Sequence, residues 1–181
     1  MRTFIAVEIP EDLKSKLMHI SGILERGGLI KGTFVSKENF HLTLKFLGDL
    51  PGEDLEKITN KLNGINFKKF EAKVDKIGVF PSEEYVKVVW IGVISPELES
   101  LSKKINESLS EIGFPQDVGK FENHLTIARV KSIVNKASFK EKLKNLNVKN
   151  EKFSIENFHL IKSELTPKGP IYRKIASFNL K

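Results

Sequence analysis

Two short phrases constrain this chain more than anything else in it: Phe40-His41-Leu42-Thr43-Leu44 and Asn123-His124-Leu125-Thr126-Ile127. They are nearly the same, and both alternate apolar and polar residues with a period of two. That period marks a strand, because successive side chains point to opposite faces. Leu42 and Leu44, or Leu125 and Ile127, then face a core, while each phrase presents an imidazole and a hydroxyl together on its other side. If the two strands meet around a cleft, two histidines and two threonines converge.

The rest of the chain surrounds these strands with turns and amphipathic helices. Arg2 to Ile9 is a β-type run, and Pro10-Glu11-Asp12 opens a helix whose apolar positions Leu13, Leu17, Ile20 and Leu24 recur at helical spacing, ending at Gly27-Gly28. A second β region lies between Gly32 and Gly48. Helices are predicted over Glu53 to Leu62, Pro96 to Ile112 and Ser138 to Leu146. Strands are predicted over Phe67 to Phe80, Tyr85 to Ile94 and Asn123 to Val130. Phe153 to Leu165 and Ile171 to Leu180 read as a closing hairpin across Pro167-Lys168-Gly169-Pro170. Strands that mostly return by turns, without Gly-rich loops between strand and helix, predict an α+β fold with antiparallel sheets over a doubly wound parallel one.

At 181 residues the chain can bury a full core but not several domains, so residues 1–181 are expected to form a single domain of two lobes. No apolar run approaches the roughly 20 residues of a spanning helix, so no membrane partner is expected. Glu8 and Pro10 stand where a signal peptide would continue its apolar stretch, and a cytoplasmic location is expected.

The chain has no cysteine, which excludes disulfides, thiol nucleophiles and cysteine-held metal centres. Its chemistry must come from histidine, hydroxyls, carboxylates or cations. Thirty Lys and Arg against 23 Asp and Glu leave a formal charge of +7. A surplus of this size favours anionic partners such as nucleic acid or phosphorylated metabolites, and it serves equally as a solubilising surface.

With Thr at only six positions, two His-x-Thr matches among four histidines arise by chance at a rate on the order of 0.7%. Two imidazoles and two hydroxyls suit the opening of a cyclic phosphodiester by water. One neutral His takes the water proton, one protonated His supplies the departing oxygen, and hydroxyls hold the non-bridging oxygens as charge builds. Histidine fills both roles near neutrality, with an ordinary pKa of about 6.5. No cofactor and no metal are required. A metal site is the competing reading, but threonine is a poor zinc ligand and no HExxH or His-x-His pair occurs. A Ser-His-Asp hydrolase lacks its Gly-x-Ser-x-Gly elbow.

Arg129 follows the second motif by three residues. Strict alternation places it on the face opposite Thr126 unless a bulge or strand end intervenes. It reads equally as a phosphate clamp and as a structural cation. His159 sits in Glu156-Asn157-Phe158-His159-Leu160, a repeat of the residues Glu38 to Leu42, but Ile161 replaces the threonine, so it reads as a half-buried strand residue. His19 reads as a helix-surface residue.

The phrases resemble the paired motifs of the two-histidine phosphoesterase superfamily, and most closely its LigT-like branch of RNA 2′,3′-cyclic phosphodiesterases, also called 2′-5′ RNA ligases. Arg2-Thr3-Phe4-Ile5-Ala6-Val7, His41 through Gly48, His124 through Arg129, and Ser163-Glu164-Leu165 with Gly169-Pro170-Ile171-Tyr172 carry the resemblance over nearly the whole chain. It implies a bilobal α+β fold, two antiparallel sheets with flanking helices related by a pseudo-twofold about a central cleft. It also implies hydrolysis of 2′,3′-cyclic phosphate RNA ends to 2′-phosphates, with ATP-independent 2′-5′ joining as the reverse. His41 would be the proton donor, His124 the acceptor, and Thr43 and Thr126 the phosphate holders, with Arg129 as a substrate contact. The expected partner is RNA with a cyclic phosphate end, tRNA fragments included, and the expected state is a monomer. A small cyclic phosphate as substrate, or RNA binding through aromatics such as Phe80 and Tyr85 without catalysis, are the alternatives.

Overall fold

The structure, a computed structural model, describes residues 1–117, 122–148, 151–167 and 169–181. Its described elements run β1 (Arg2–Glu8), α1 (Glu11–Arg26), β2 (Ile30–Phe34), a 3-10 turn (Lys37–Asn39), β3 (His41–Asp49), α2 (Asp54–Asn63), β4 (Phe70–Pro81), β5 (Val86–Ile94), α3 (Pro96–Ser110), β6 (His124–Ile133), α4 (Lys136–Asn145), β7 (Lys152–Ile155), β8 (Asn157–Thr166) and β9 (Gly169–Asn179).

Two antiparallel sheets organise the chain, as the turn-rich pattern predicts. One has the order β3-β1-β8-β9, the other β2-β6-β5-β4-β7. The second repeats the first: β6-β5-β4-β7 stand to one another as β3-β1-β8-β9 do, with β2 added at an edge. This is the pseudo-twofold, and it gives His41 and His124 the same address, each the first residue of an equivalent strand.

The helices follow their sequence signals. In α1 the acidic Glu11 and Asp12 sit at the positive end of the helix dipole, and Leu13, Leu17, Ile20 and Leu24 are all buried. In α4 the Asn135 side chain accepts from the Ser138 amide at 3.0 Å, which starts the helix two residues before the predicted Ser138.

Packing exchanges the helices between halves. α1 follows a strand of the first sheet yet lies against β2 and β6 of the second, and α3 follows β5 yet lies against β3 of the first. There the Ser102 hydroxyl donates to the Leu44 carbonyl at 3.0 Å. One buried hydrophobic cluster consequently runs through both sheets and all four described helices.

The predicted strand from Phe153 to Leu165 is two strands. It breaks at Glu156, with β7 pairing to β4 in one sheet and β8 pairing to β1 in the other. The β region between Gly32 and Gly48 divides likewise into β2 and β3, one in each sheet. The polar run Ser36-Lys37-Glu38-Asn39 marks the break between β2 and β3, whereas the break at Glu156 lies between two apolar, alternating segments. The turn predicted over residues 167–170 includes residue 168, which lies outside the described residues.

Candidate active site

The two histidines are held alike. Nδ1–H of His41 donates to the Asn39 carbonyl at 2.6 Å, and Nδ1–H of His124 donates to the Glu122 carbonyl at 2.8 Å. A carbonyl can only accept, so each Nδ1 must carry the hydrogen. The bond fixes the tautomer and leaves Nε2 able to act as a base when neutral and as an acid when protonated.

Aromatic rings bracket both imidazoles. His41 lies 4.9 Å from the Phe4 ring centre and 5.0 Å from Tyr172, and Phe4 and Tyr172 meet edge to face at 5.1 Å. His124 lies 5.2 Å from Phe80 and 6.4 Å from Trp90, and those two rings stack at 4.8 Å. Trp90 lies over Gly78, where a Cβ would come within 2.3 Å of its ring. Phe80, offered with Tyr85 as an RNA-binding aromatic, is half-buried in this bracket, whereas Tyr85 is exposed.

Thr43 and Thr126 sit two residues after their histidines, half-buried on the same strand faces, while Leu42, Leu44, Leu125 and Ile127 are in the core. The alternation then slips. Thr126 pairs with Trp90 and Ala128 with Val89, so Ile127 is an extra residue in β6. Ile127 and Ala128 are both buried and Arg129 is exposed, on the open face with Thr126. Strict alternation is corrected by this bulge. The same slip occurs in β3, where Leu44 is the extra residue between Thr43 and Lys45, so Phe46 stands where Arg129 stands in the other half. Phe46 is 70% exposed and Lys45 is buried.

The charges of the two halves reach one another. His41 binds its proton less readily than an ordinary histidine, chiefly because it is buried and further because His124 and Arg129 bring positive charge near it. The Asn39 carbonyl and the Glu8 carboxylate pull the other way. Burial raises the Tyr172 phenol, against the opposing influence of Arg129. Arg129 is therefore electrostatically close to His41 and Tyr172, although its own strand belongs to the other sheet.

The structure thus brings His41, His124, Thr43, Thr126 and Arg129 together. His19 is exposed on α1. Among the described residues no three His, Cys, Asp or Glu side chains form a group able to hold a metal.

Sequence reasoning missed the support of the site. Phe4 and Tyr172 stand only within the segments that carry the resemblance and Trp90 only within a predicted strand, and His159 is not half-buried but only 4% exposed. It faces the same side of the first sheet as His41, because it pairs with Ala6, two residues from Glu8. The alternation of β1, which places Phe4, Ala6 and Glu8 on one face, was the available signal.

A fold of two pseudo-equivalent sheets, each opening a strand with His-x-Thr, defines a two-histidine phosphoesterase. The LigT-like phosphoesterase family model matches twice, over residues 7–90 and 91–172, which divides the chain at the pseudo-twofold. The chain belongs to this family. It is 38% identical over 176 residues to an RNA 2′,3′-cyclic phosphodiesterase of Methanocaldococcus jannaschii, covering 97% of this chain and 98% of that one. It is 36% identical to a relative of the same name from Archaeoglobus fulgidus, over 98% and 99% of the two chains. The crystal structure of a Thermus thermophilus protein superposes with a TM-score of 0.83 at 26% identity, covering 99% and 98%. Escherichia coli LigT in its apo form shares the fold, with a TM-score of 0.78 at 20% identity over 99% and 96%.

Proposed function

We infer that this chain is an RNA 2′,3′-cyclic phosphodiesterase, which opens the cyclic phosphate at an RNA end to leave a 2′-phosphate and a free 3′-hydroxyl. The observation that carries the reading is the matched pair of imidazoles, each with Nδ1 tied to a backbone carbonyl and a threonine two residues on. The names of relatives at 33 to 38% identity supply the substrate class.

In the hydrolysis Nε2 of His124 takes a proton from water as the water oxygen bonds to phosphorus. The bond from phosphorus to the 3′ oxygen breaks, and Nε2–H of His41 delivers a proton to that oxygen. The Thr43 and Thr126 hydroxyls donate to the non-bridging oxygens, and Arg129 offsets the charge that builds there. The histidines end in exchanged protonation states and reset through solvent. A 5′-hydroxyl in place of water follows the same path in the same direction: it gives its proton to His124, its oxygen bonds to phosphorus as the bond to the 3′ oxygen breaks, and two RNA ends are joined 2′-5′.

The reading extends to RNA fragments, those of tRNA among them, met by a monomer in the cytoplasm. The +7 surplus supports attraction to such ends, and among the described residues no helix is long and apolar enough to cross a membrane. The test is incubation with an oligoribonucleotide ending in a 2′,3′-cyclic phosphate. A 2′-phosphate product is expected; a 3′-phosphate, or no turnover, overturns the reading. A higher kcat/KM on a cyclic mononucleotide than on the oligoribonucleotide would move the substrate to the small cyclic phosphates.

A further inference from the structure

The pseudo-twofold makes the two histidines alike, and one register position makes them different. Across the ladder from His41, on β1, stands Glu8; across the ladder from His124, on β5, stands Gly92. A carboxylate beside one imidazole and no side chain beside the other is the sharpest asymmetry between the two half-sites.

Glu8 is held where it stands. Its Oε2 accepts from Lys174 Nζ at 2.7 Å, from β9. On the other side lies His159 of β8, whose Nδ1 is 2.9 Å from the Ser177 hydroxyl and whose Nε2 is 3.9 Å from the same Glu8 oxygen. That Nε2 is buried and finds no hydrogen-bond partner among the described residues. Lys174, His159 and Glu8 thus form a cluster on the open face of the first sheet, beside the site and outside the His-x-Thr motifs.

The charged and titratable groups facing His41 are Glu8 from β1, His124 and Arg129 from β6, and Tyr172 from β9, with Lys174 and His159 behind Glu8. The cations among them, with burial, drive the proton off His41. Glu8 is the one carboxylate in that set that holds it on.

We propose that Glu8 is a positioning residue of the reaction, a carboxylate fixed by Lys174 across the ladder from His41 that keeps a proton on Nε2 of His41. It thereby makes the first-motif histidine the donor. This rests on the hydrolytic reading above, in which a proton passes from His41 to the departing 3′ oxygen. Lys174 both anchors the carboxylate and tempers it, so the two residues act on His41 in opposite directions.

The test is the pH profile of kcat/KM for Glu8→Gln, Glu8→Asp and Lys174→Met. The alkaline limb reports the group that must be protonated. Expected for Glu8→Gln is a move of that limb to lower pH, with kcat/KM on the alkaline side falling about threefold or more relative to its maximum. Glu8→Asp, which keeps the charge, restores the limb, and Lys174→Met moves it to higher pH. Limbs that stay in place while kcat falls uniformly, or an acid limb that moves instead, overturn the proposal. Titration of the His41 ring by NMR in unliganded protein reads the same coupling without turnover. A His41 titration unchanged in both Glu8→Gln and Lys174→Met overturns the proposal even where the enzyme hydrolyses the cyclic phosphate normally. A shifted titration in a protein inert towards cyclic phosphate keeps the coupling and removes the hydrolytic reading.

Discussion

Arg129 shares the open face of β6 with Thr126, three residues before it, because Ile127 bulges out of the ladder between them. The slip converts an odd spacing into a common direction. A histidine, a hydroxyl and a guanidinium then line one face in the second half, while the first half offers a histidine, a hydroxyl and the Phe46 ring.

If Arg129 meets the phosphate, its charge-assisted hydrogen bonds contribute about 1.5 to 3 kcal/mol. Arg129→Ala should then lower kcat/KM by about 10- to 100-fold, and Arg129→Lys should recover only part of it, since the ammonium cannot bind two oxygens in one plane. Steady-state kinetics at two salt concentrations check this. An Arg129→Ala enzyme with unchanged kcat/KM would return Arg129 to a structural role.

His41→Ala and His124→Ala should each lower kcat by about 10²- to 10⁴-fold, the usual contribution of a positioned acid or base. Thr43→Val and Thr126→Val remove a hydroxyl donor at similar volume, and each should cost about tenfold in kcat/KM. Wild-type turnover should persist in EDTA. Full activity in either alanine variant would remove the acid–base assignment.

His41 and His159 both bind protons less readily in the fold than outside it, and for each the first cause is burial. The unfolded chain therefore takes up more protons as pH falls. Their contribution to stability is complete above the unfolded histidine value of about 6.5 and is lost as pH drops through it towards the lower folded values. Urea midpoints measured from about pH 8 to about pH 5 should fall along that series. His159→Gln should flatten part of the decline, and an unchanged slope would contradict the burial argument.

Gly78→Ala places a Cβ 2.3 Å from the Trp90 ring and must push that ring away. Overpacking of this kind costs about 1 to 3 kcal/mol. Because Trp90 stacks on Phe80 and both flank His124, the variant should lose activity as well as stability. Thermal melts and kinetics on the same preparation check both. A fully active Gly78→Ala would show that the bracket does not position His124.

Lys45 is buried, and its ammonium donates to Asn106 Oδ1 at 2.6 Å, the Pro115 carbonyl at 2.8 Å and Asp117 Oδ1 at 3.1 Å. Lys45→Met removes the donor shared by these three acceptors and releases the Pro115–Asp117 stretch from β3. The expected loss is about 1 to 3 kcal/mol, read as a lower urea midpoint with an unchanged slope. A stability equal to wild type would show that solvent replaces the ammonium.

Much of this was legible in the sequence. Period-two alternation located β3 and β6 and separated Leu42 and Leu125 from the residues that face out. Helical spacing located α1 with its buried positions, and the matched His-x-Thr phrases pointed to the candidate site. What escaped was set by pairing between distant strands. The bulges at Leu44 and Ile127 depend on register with β1 and β5, which no local pattern encodes. The break at Glu156 separates two equally apolar segments, so only their different sheets distinguish them. Glu8 and His159 became visible as neighbours once β1 was placed between β3 and β8.

The exchange of α1 and α3 between the halves sets how the molecule can move. Each sheet rests on a helix that the other half's strands introduce, so neither half keeps a complete interior when parted from the other. The lobes cannot swing apart as a jaw without exposing that interior to water. The separation between His41 and His124 is then a fixed dimension of the fold, and a rigid gauge of this kind is matched to a small, strained ring. RNA of any length must present its end to that gauge, and heating or denaturant should erase both half-sites in a single cooperative step.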